Sequence, residues 1–488
     1  MKRFLFAAFL VVGLAALLAP PQAFAQEEKP FTIHGEVRVR GEYNANAQDF
    51  ADAEDPSGGI TIGTNDDQAN YWPYRIRIAA EGHFTKNVHA WIEFQNAGVF
   101  GGDILLGPVK TGTPVGLGTD SGVMMYQGNL TLNKLWSDSF SLQFGREEIV
   151  RGNELMLGDL DFYSGLSHDG IVAMWDLKSV DITGFYTRAF EGSVTHADNF
   201  LPPDQLITGI NAQPQTHHFW GAYATWTLKK GWIVDAYLLE LRDRAYTFDA
   251  PSTVDTLGGR FAKDTTDKSG LVWNIEYALQ FGEYSELAPA SNFEEGADIS
   301  GSVLEGMIGW NFKGKSAVHR VFGRYAEASG NEADTDSTPG DKEDEGFMPM
   351  FGDFHNRLGR GDWFQLTGST PTNLGGGLAG VGDGSGITAW AVGYTGWYGE
   401  NHTFGAQFWD YSLDQENYLD VTAADAFTDD LGEAFDIWYG YAYTKNVSFE
   451  ASISQFEPGD ALTSTSTFVP TVQDDSVMRV YGQVRLRF

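Results

Sequence analysis

Arginines placed every second residue are the residues here with the most pointed chemistry. Arg479, Arg485 and Arg487 share one face of the last ten residues, while Val480, Gly482, Val484, Leu486 and Phe488 share the other. Arg38 and Arg40 alternate in the same way with Val37 and Val39, and Arg75 and Arg77 with Tyr74, Ile76 and Ile78. A guanidinium is planar, permanently charged, and offers paired N–H donors that match the two oxygens of a carboxylate. A row of them suits the holding of carboxylates, provided that the row faces water. Arg260, Arg320 and Arg324 are further candidates, and the acids Glu36, Glu42, Glu81, Glu93 and Glu276 fall on the same parity. The same rows therefore also read as a charge-paired lining that is neutral overall.

Other reactive groups carry less. His168-Asp169 and His196 with Asp198 could serve as acid/base pairs, but neither comes with a recognisable third orienting group, and both read as exposed polar residues of loops. His217 and His218 are adjacent in a strand-like run, so their side chains diverge and cannot share one ion. With no cysteine there is neither a disulfide framework nor a thiolate metal site. No acidic loop has the spacing of a calcium-binding loop. No cofactor and no catalytic set is expected.

Period-two alternation assigns the arginines to strands with one apolar and one polar face. Pairs of such runs flank tight turns at Lys86-Asn87, Ser137-Asp138, Lys178-Ser179, Lys229-Lys230-Gly231, Gly399-Glu400-Asn401 and Thr444-Lys445-Asn446. Long Gly-, Asp- and Asn-rich stretches separate the pairs. Long loop, strand, tight turn, strand is the rhythm of a transmembrane antiparallel β-barrel. An arginine facing lipid at mid-membrane costs roughly 2 to 4 kcal/mol, so the basic face must look into the lumen. Seventeen runs are plain, and both termini of such a barrel lie on the periplasmic side, so the strand number must be even. Val254 to Ala262 restores the alternation of direction. The fold class expected is all-β, a barrel of about 18 strands (16–18) enclosing an aqueous channel, with short periplasmic turns and long acidic extracellular loops.

Composition agrees. The chain has 488 residues, 14% aromatic, with 58 Gly and only 17 Pro. Lys2 and Arg3, the apolar run Phe4 to Leu18, and Ala23-Phe24-Ala25 read as a signal peptide over 1–25, leaving 26–488 as one barrel domain. No later run approaches the ~18 apolar residues of a membrane helix. The formal charge is -34. That makes nucleic acid an unsuitable partner. Acid concentrates in 44–70, 331–345 and 413–433. Trp72, Tyr74, Trp232, Tyr443 and Phe488, near strand ends, read as an interfacial aromatic girdle.

Residues 145–171, GREEIVRGNELMLGDLDFYSGLSHDGI, resemble the signature block of the alginate export family of outer-membrane barrels. VDAYLLEL at 234–241, TLGGRF at 256–261, YALQFGE at 277–283 and FMPMFGDFHNRLGRGDW at 347–363 fit it in the same order. The resemblance implies an eighteen-stranded monomer in the outer membrane, with an arginine-rich conduit that passes an anionic exopolysaccharide outward. It adds Arg146 and Arg151 to the lining, although Arg146 shares parity with Phe140, Leu142 and Phe144 and would need a bulge at Gly145 to turn inward. The partners expected are outer-membrane lipid, an anionic polysaccharide or small anionic solute, and periplasmic export proteins. The alternatives carried are a general or small-solute porin and, from another class, a rim hydrolase or adhesion platform built on the loops.

Overall fold

An extended backbone has no intra-segment hydrogen-bond partners, so each run must pair with neighbours, and a sheet closed on itself leaves no edge in the membrane. The computed structural model describes residues 31–45, 69–100, 123–192, 215–228, 231–243, 252–265, 268–283, 293–331, 341–368, 385–415, 429–463 and 476–488. Residues 1–25, read above as a signal peptide, most of the acidic segments 44–70, 331–345 and 413–433, and His196 and Asp198 lie outside the described residues.

Eighteen long strands build the barrel. They are β1 (Phe31–Ala45), β2 (Pro73–Thr85), β3 (Val88–Val99), β4 (Met124–Asn133), β5 (Phe140–Glu147) and β6 (His168–Asp176). There follow β7 (Val180–Gly192), β8 (Gln215–Thr227), β9 (Trp232–Asp243), β10 (Ser252–Lys263), β11 (Gly270–Glu283) and β12 (Ser302–Lys313). The last six are β13 (Ala317–Ala328), β14 (Ile387–Tyr398), β15 (His402–Ser412), β16 (Asp430–Ala442), β17 (Val447–Pro458) and β18 (Val477–Arg487). Each is antiparallel to the next, and β18 closes on β1 from Glu36 opposite Arg487 to Ala45 opposite Met478. The strand recovered by direction counting is β10, paired along its whole length with β9 and β11. Three short strands, Ala69–Tyr71, Phe293–Ile299 and Asp341–Asp344, add pairings at the long-loop rim.

Side-chain parity is as the alternation requires. On β2, Arg75 is wholly buried and Arg77 nearly so, while the intervening Ile76 and Ile78 are 40% and 55% exposed. Ile92, Phe94, Leu257, Val321 and Ile453 face outward in the same way, and Trp72, Trp232, Tyr443 and Phe488 are exposed where a lipid-water girdle would sit.

The lumen departs from the open bore expected of eighteen strands. Two connecting segments, 148–167 between β5 and β6 and 345–368 between β13 and β14, fold inward and bury Leu155, Met156, Leu157, Phe347, Leu358 and Phe364 in one apolar cluster with wall residues such as Phe219, Leu239 and Tyr411. A tube this wide cannot be filled by its own wall side chains. Its apolar contents must therefore come from the loops. Among the described residues, six non-glycine residues have positive φ, and four of them, Glu154, Leu160, Asn356 and Asp362, belong to these two segments. Such backbone is costly and persists only where its surroundings over-determine it.

Candidate functional site: an arginine wall and two inward segments

Register brings the basic rows together. Arg38 on β1 lies directly opposite Arg75 on β2 and directly opposite Arg485 on β18. Three like charges in one row would repel. Counter-charges and acceptors placed among them resolve this. Glu36, one inward position away on β1, lies opposite both Arg77 and Arg487 and accepts from Arg75 at 3.0 Å and from Arg487 at 3.1 Å.

The wall is closed over by the 148–167 segment, whose four consecutive carbonyls at 161–164 are each held by an arginine. Arg38 donates to the carbonyls of Asp161, at 2.5 Å, and Tyr163, and Arg75 also reaches that of Asp161, at 3.1 Å. Arg40 donates to Phe162 O at 2.9 Å and Arg77 to Ser164 O at 2.8 Å. The Arg40 guanidinium also lies 3.5 Å above the Phe162 ring. So close an approach needs Gly165: its φ is +95°, and a Cβ there would stand 2.2 Å from Arg77 Nη2.

The Asp161 carboxylate sits at the focus of this wall. It meets Arg75 at 2.5 Å, Arg485 at 2.8 Å, Arg77 at 3.6 Å and Arg38 at 3.9 Å. Burial works against its charge, but the guanidinium groups of Arg75, Arg38, Arg485 and Arg77 prevail and hold its carboxyl at about 2. The arrangement is a carboxylate receptor already occupied by a carboxylate of the chain itself.

The 345–368 segment docks with the opposite polarity. Arg357 donates to Glu305 on β12, and Arg360 to Glu450 on β17 at 2.5 Å and to Tyr481 on β18 at 2.9 Å. Asp436 on β16 accepts from Arg360 N at 2.8 Å, and Ser454 on β17 accepts from Trp363 Nε1 at 3.1 Å. Trp363 and Phe364 pack on Phe456 and Tyr411. Arg479 ties this segment to the basic wall, donating to Gly361 O at 2.8 Å and to Glu42 at 3.1 Å.

The two segments meet across the lumen. Gly158 N donates to Phe351 O at 2.7 Å, Phe351 N to Met156 O at 3.2 Å and Asp353 N to Glu154 O at 2.9 Å, and His355 stacks on Phe162. Glu154, Asp159 and Asp353 crowd this seam, their nearest oxygens within 4.8 Å of one another, the spacing in which carboxylates could share a cation. Burial pushes all three carboxyls up, and neighbouring carboxylates push Glu154 and Asp159 further.

The remaining candidates are dispersed. Arg151 donates to Thr183 on β7 at 2.7 Å. Arg260 pairs with Asp235 at 2.6 Å, and Arg320 with Asp264 at 2.5 Å, on the far side of the barrel from β1. Arg324, also on that side, donates from Nη1 to Arg357 O at 3.4 Å. Arg479 lies one inward position beyond Tyr481, toward the long-loop end of β18. Glu81 bridges His34 and His83 near the short turns, and Glu93 accepts from Trp91 at 3.1 Å and Gln127 at 2.9 Å.

Two expectations need correcting. Arg146 is not on the lining: with no bulge in the β4–β5 register it keeps outward parity, 41% exposed, and forms a two-pronged pair with Asp169 at 2.7 Å. His168 is not an exposed loop residue. It begins β6 facing inward, 1% exposed, against Phe219 and Phe351. Asp161, Arg357 and Arg360 were not foreseen; dense apolar residues in supposed loops, Met156-Leu157 and Phe347 through Phe351, were the available signal.

A closed sheet with charged side chains along part of its inner face, an apolar outer band and loops folded inside defines an outer-membrane channel-type barrel. Solved structures agree in fold. Pseudomonas aeruginosa OccK11 (OpdR) aligns with a TM-score of 0.52 at 10% identity over 96% of this chain and 100% of its own. Acinetobacter baumannii OccAB1 gives 0.55 at 9% identity over 93% and 97%. P. aeruginosa OccK2 (OpdF), solved in complex with glucuronate, gives 0.52 at 12% identity over 96% and 99%. The model of the alginate export family matches residues 34–374, and the chain belongs to that family. Comparison with curated proteins finds no match.

Proposed function

We propose that this outer-membrane channel prefers anions and passes a cargo bearing carboxylates, an anionic exopolysaccharide of uronate type, as a monomer and without chemistry on the cargo. The observation that carries this is the convergence of Arg38, Arg75, Arg77 and Arg485 on the carboxylate of Asp161. Guanidinium forks from three adjoining strands recognise that group whether it belongs to a loop or to a passing sugar acid. Cargo enters by exchange: its carboxylate takes over the arginines that Asp161 releases. The 159–164 stretch then withdraws, while Leu155, Met156 and Leu157 stay in the apolar cluster. Exchange of one charge-assisted set for another keeps the net cost small, whereas vacating the wall would strand buried charge. The glucuronate bound to OccK2 names the ligand class to test first.

The reversal potential of single channels in a salt gradient is the test. Anion preference is expected, and it should fall when Arg38, Arg40, Arg75 and Arg77 become Ala. Asp161→Asn, which removes the internal competitor's charge, should raise conductance. A parent channel without anion preference overturns the reading.

A small-solute porin is the second reading, favoured by the apolar filling of the lumen. Liposome swelling separates the two. Entry of glucuronate with exclusion of an oligouronate points to the porin.

A further inference from the structure

Away from the arginine wall, β11 to β15 carry one inward row in direct register: Asn274, Met307, Arg324, Ala391 and Trp409. The small Ala391 separates Arg324 from Trp409 in this row. Arg357 of the 345–368 segment comes down over it. The result is a cavity of about 60 Å³ lined by Asn274, Glu305, Met307, Arg324, Arg357 and Trp409 among others.

Two donors there lack a partner. Arg324 Nε and Trp409 Nε1 are both buried, and neither has a hydrogen-bond acceptor among the described residues. Leaving such groups unmet is costly, the more so for a charged one. Glu305 does not answer them, because its carboxylate is engaged by Arg357 and, at 3.2 Å, by Asn153. Among the described residues no carboxylate lies within salt-bridge distance of Arg324. The volume exceeds the roughly 30 Å³ share of one water. Water would satisfy the donors but would leave Glu305 as the one carboxylate of the lining against two guanidinium groups, Arg324 and Arg357. A single negative charge meets both needs.

We propose that this cavity binds one small monovalent anion, a halide or a single carboxylate group, held by Arg324 Nε and Trp409 Nε1. So placed, the anion neutralises Arg324 beneath Arg357 and pins the 345–368 segment to β12–β15. This site is separate from the cargo path along β1, β2 and β18, and it stands or falls independently of the proposed cargo.

Bromide is the probe. Crystals of the full barrel in detergent, soaked in bromide, should show an anomalous peak within hydrogen-bonding distance of both donors. Formate should displace it, and gluconate at equal ionic strength, too large for the cavity, should not. Arg324→Met should abolish the peak. Should that variant fail to fold, Trp409→Phe, which keeps the ring and removes one donor, should lower bromide occupancy several-fold at a fixed concentration. No peak at saturating bromide, or a peak unchanged in the variant that folds, overturns the site.

Discussion

The two inward segments fill one lumen by opposite means. The 148–167 segment offers acceptors, four carbonyls and the Asp161 carboxylate, to donors on the wall. The 345–368 segment offers donors, Arg357, Arg360 and Trp363, to acceptors on the wall, and sinks Trp363 and Phe364 into an aromatic bed. Charge-assisted contacts can be exchanged for a competitor of the same charge, whereas buried apolar area cannot. The 159–164 stretch of the first segment is therefore built to be displaced, whereas its Leu155-Met156-Leu157 run and the second segment are built to stay.

The largest effect that would sharpen this contrast is on the apolar side. Phe364→Ala should cost about 3 to 5 kcal/mol, the range for removing a buried phenylalanine. It should be read as a lowered urea midpoint, with new protease cleavage inside 345–368 and none inside 148–167. Equal cleavage of both segments would break the contrast.

Acid should separate the segments next. Asp161 has a depressed carboxyl, so its contribution is complete above its ordinary value of 3.8 and is lost as pH falls toward about 2. Glu154, Asp159 and Asp353 have raised carboxyls, which favour the closed seam as it takes up protons. Mild acid should therefore lower the frequency of single-channel openings, and pH below about 4 should raise it. Asp161→Asn should remove the second limb and keep the first.

A smaller effect is expected at Gly165. Alanine there must adopt a positive φ and meet Arg77 Nη2, so Gly165→Ala should destabilise by more than the ~1 kcal/mol of an ordinary glycine exchange. Weaker anion preference should accompany it, because Arg77 is displaced. Least of all should follow from Arg146→Ala. An exposed pair such as Arg146–Asp169 contributes about 0 to 1 kcal/mol, and reversal potential should not move.

The barrel was legible because its signal is repetitive. Eighteen runs of period two each carry weak information, yet direction must alternate through all of them, and that constraint recovered β10 from Val254 to Ala262. The arginine row was legible for the same reason: parity and closure alone put Arg38, Arg75 and Arg485 on adjoining strands. What occupies the row was not. Asp161 is four residues past the short apolar run Leu155-Met156-Leu157 and 324 residues from Arg485, and no periodicity links a loop residue to a wall. The length of 328–385, with its Trp363-Phe364 pair and Gly375-Gly376-Gly377, allows a fold into the mouth, but which carboxylates receive Arg357 and Arg360 depends on how the loop crosses the tube. Arg146 shows the reverse error, where family position pointed inward and local parity pointed out.

Backbone oxygens look alike from one residue type to the next. A wall that reads the trace of residues 161–164 through carbonyls is thus blind to most of what evolution could write there, and Ser164 could become many other residues while Arg77 kept its partner. Spacing is another matter. Deleting one residue between Asp161 and Ser164 would put every later oxygen out of step with its guanidinium, so this stretch should tolerate respelling far better than shortening.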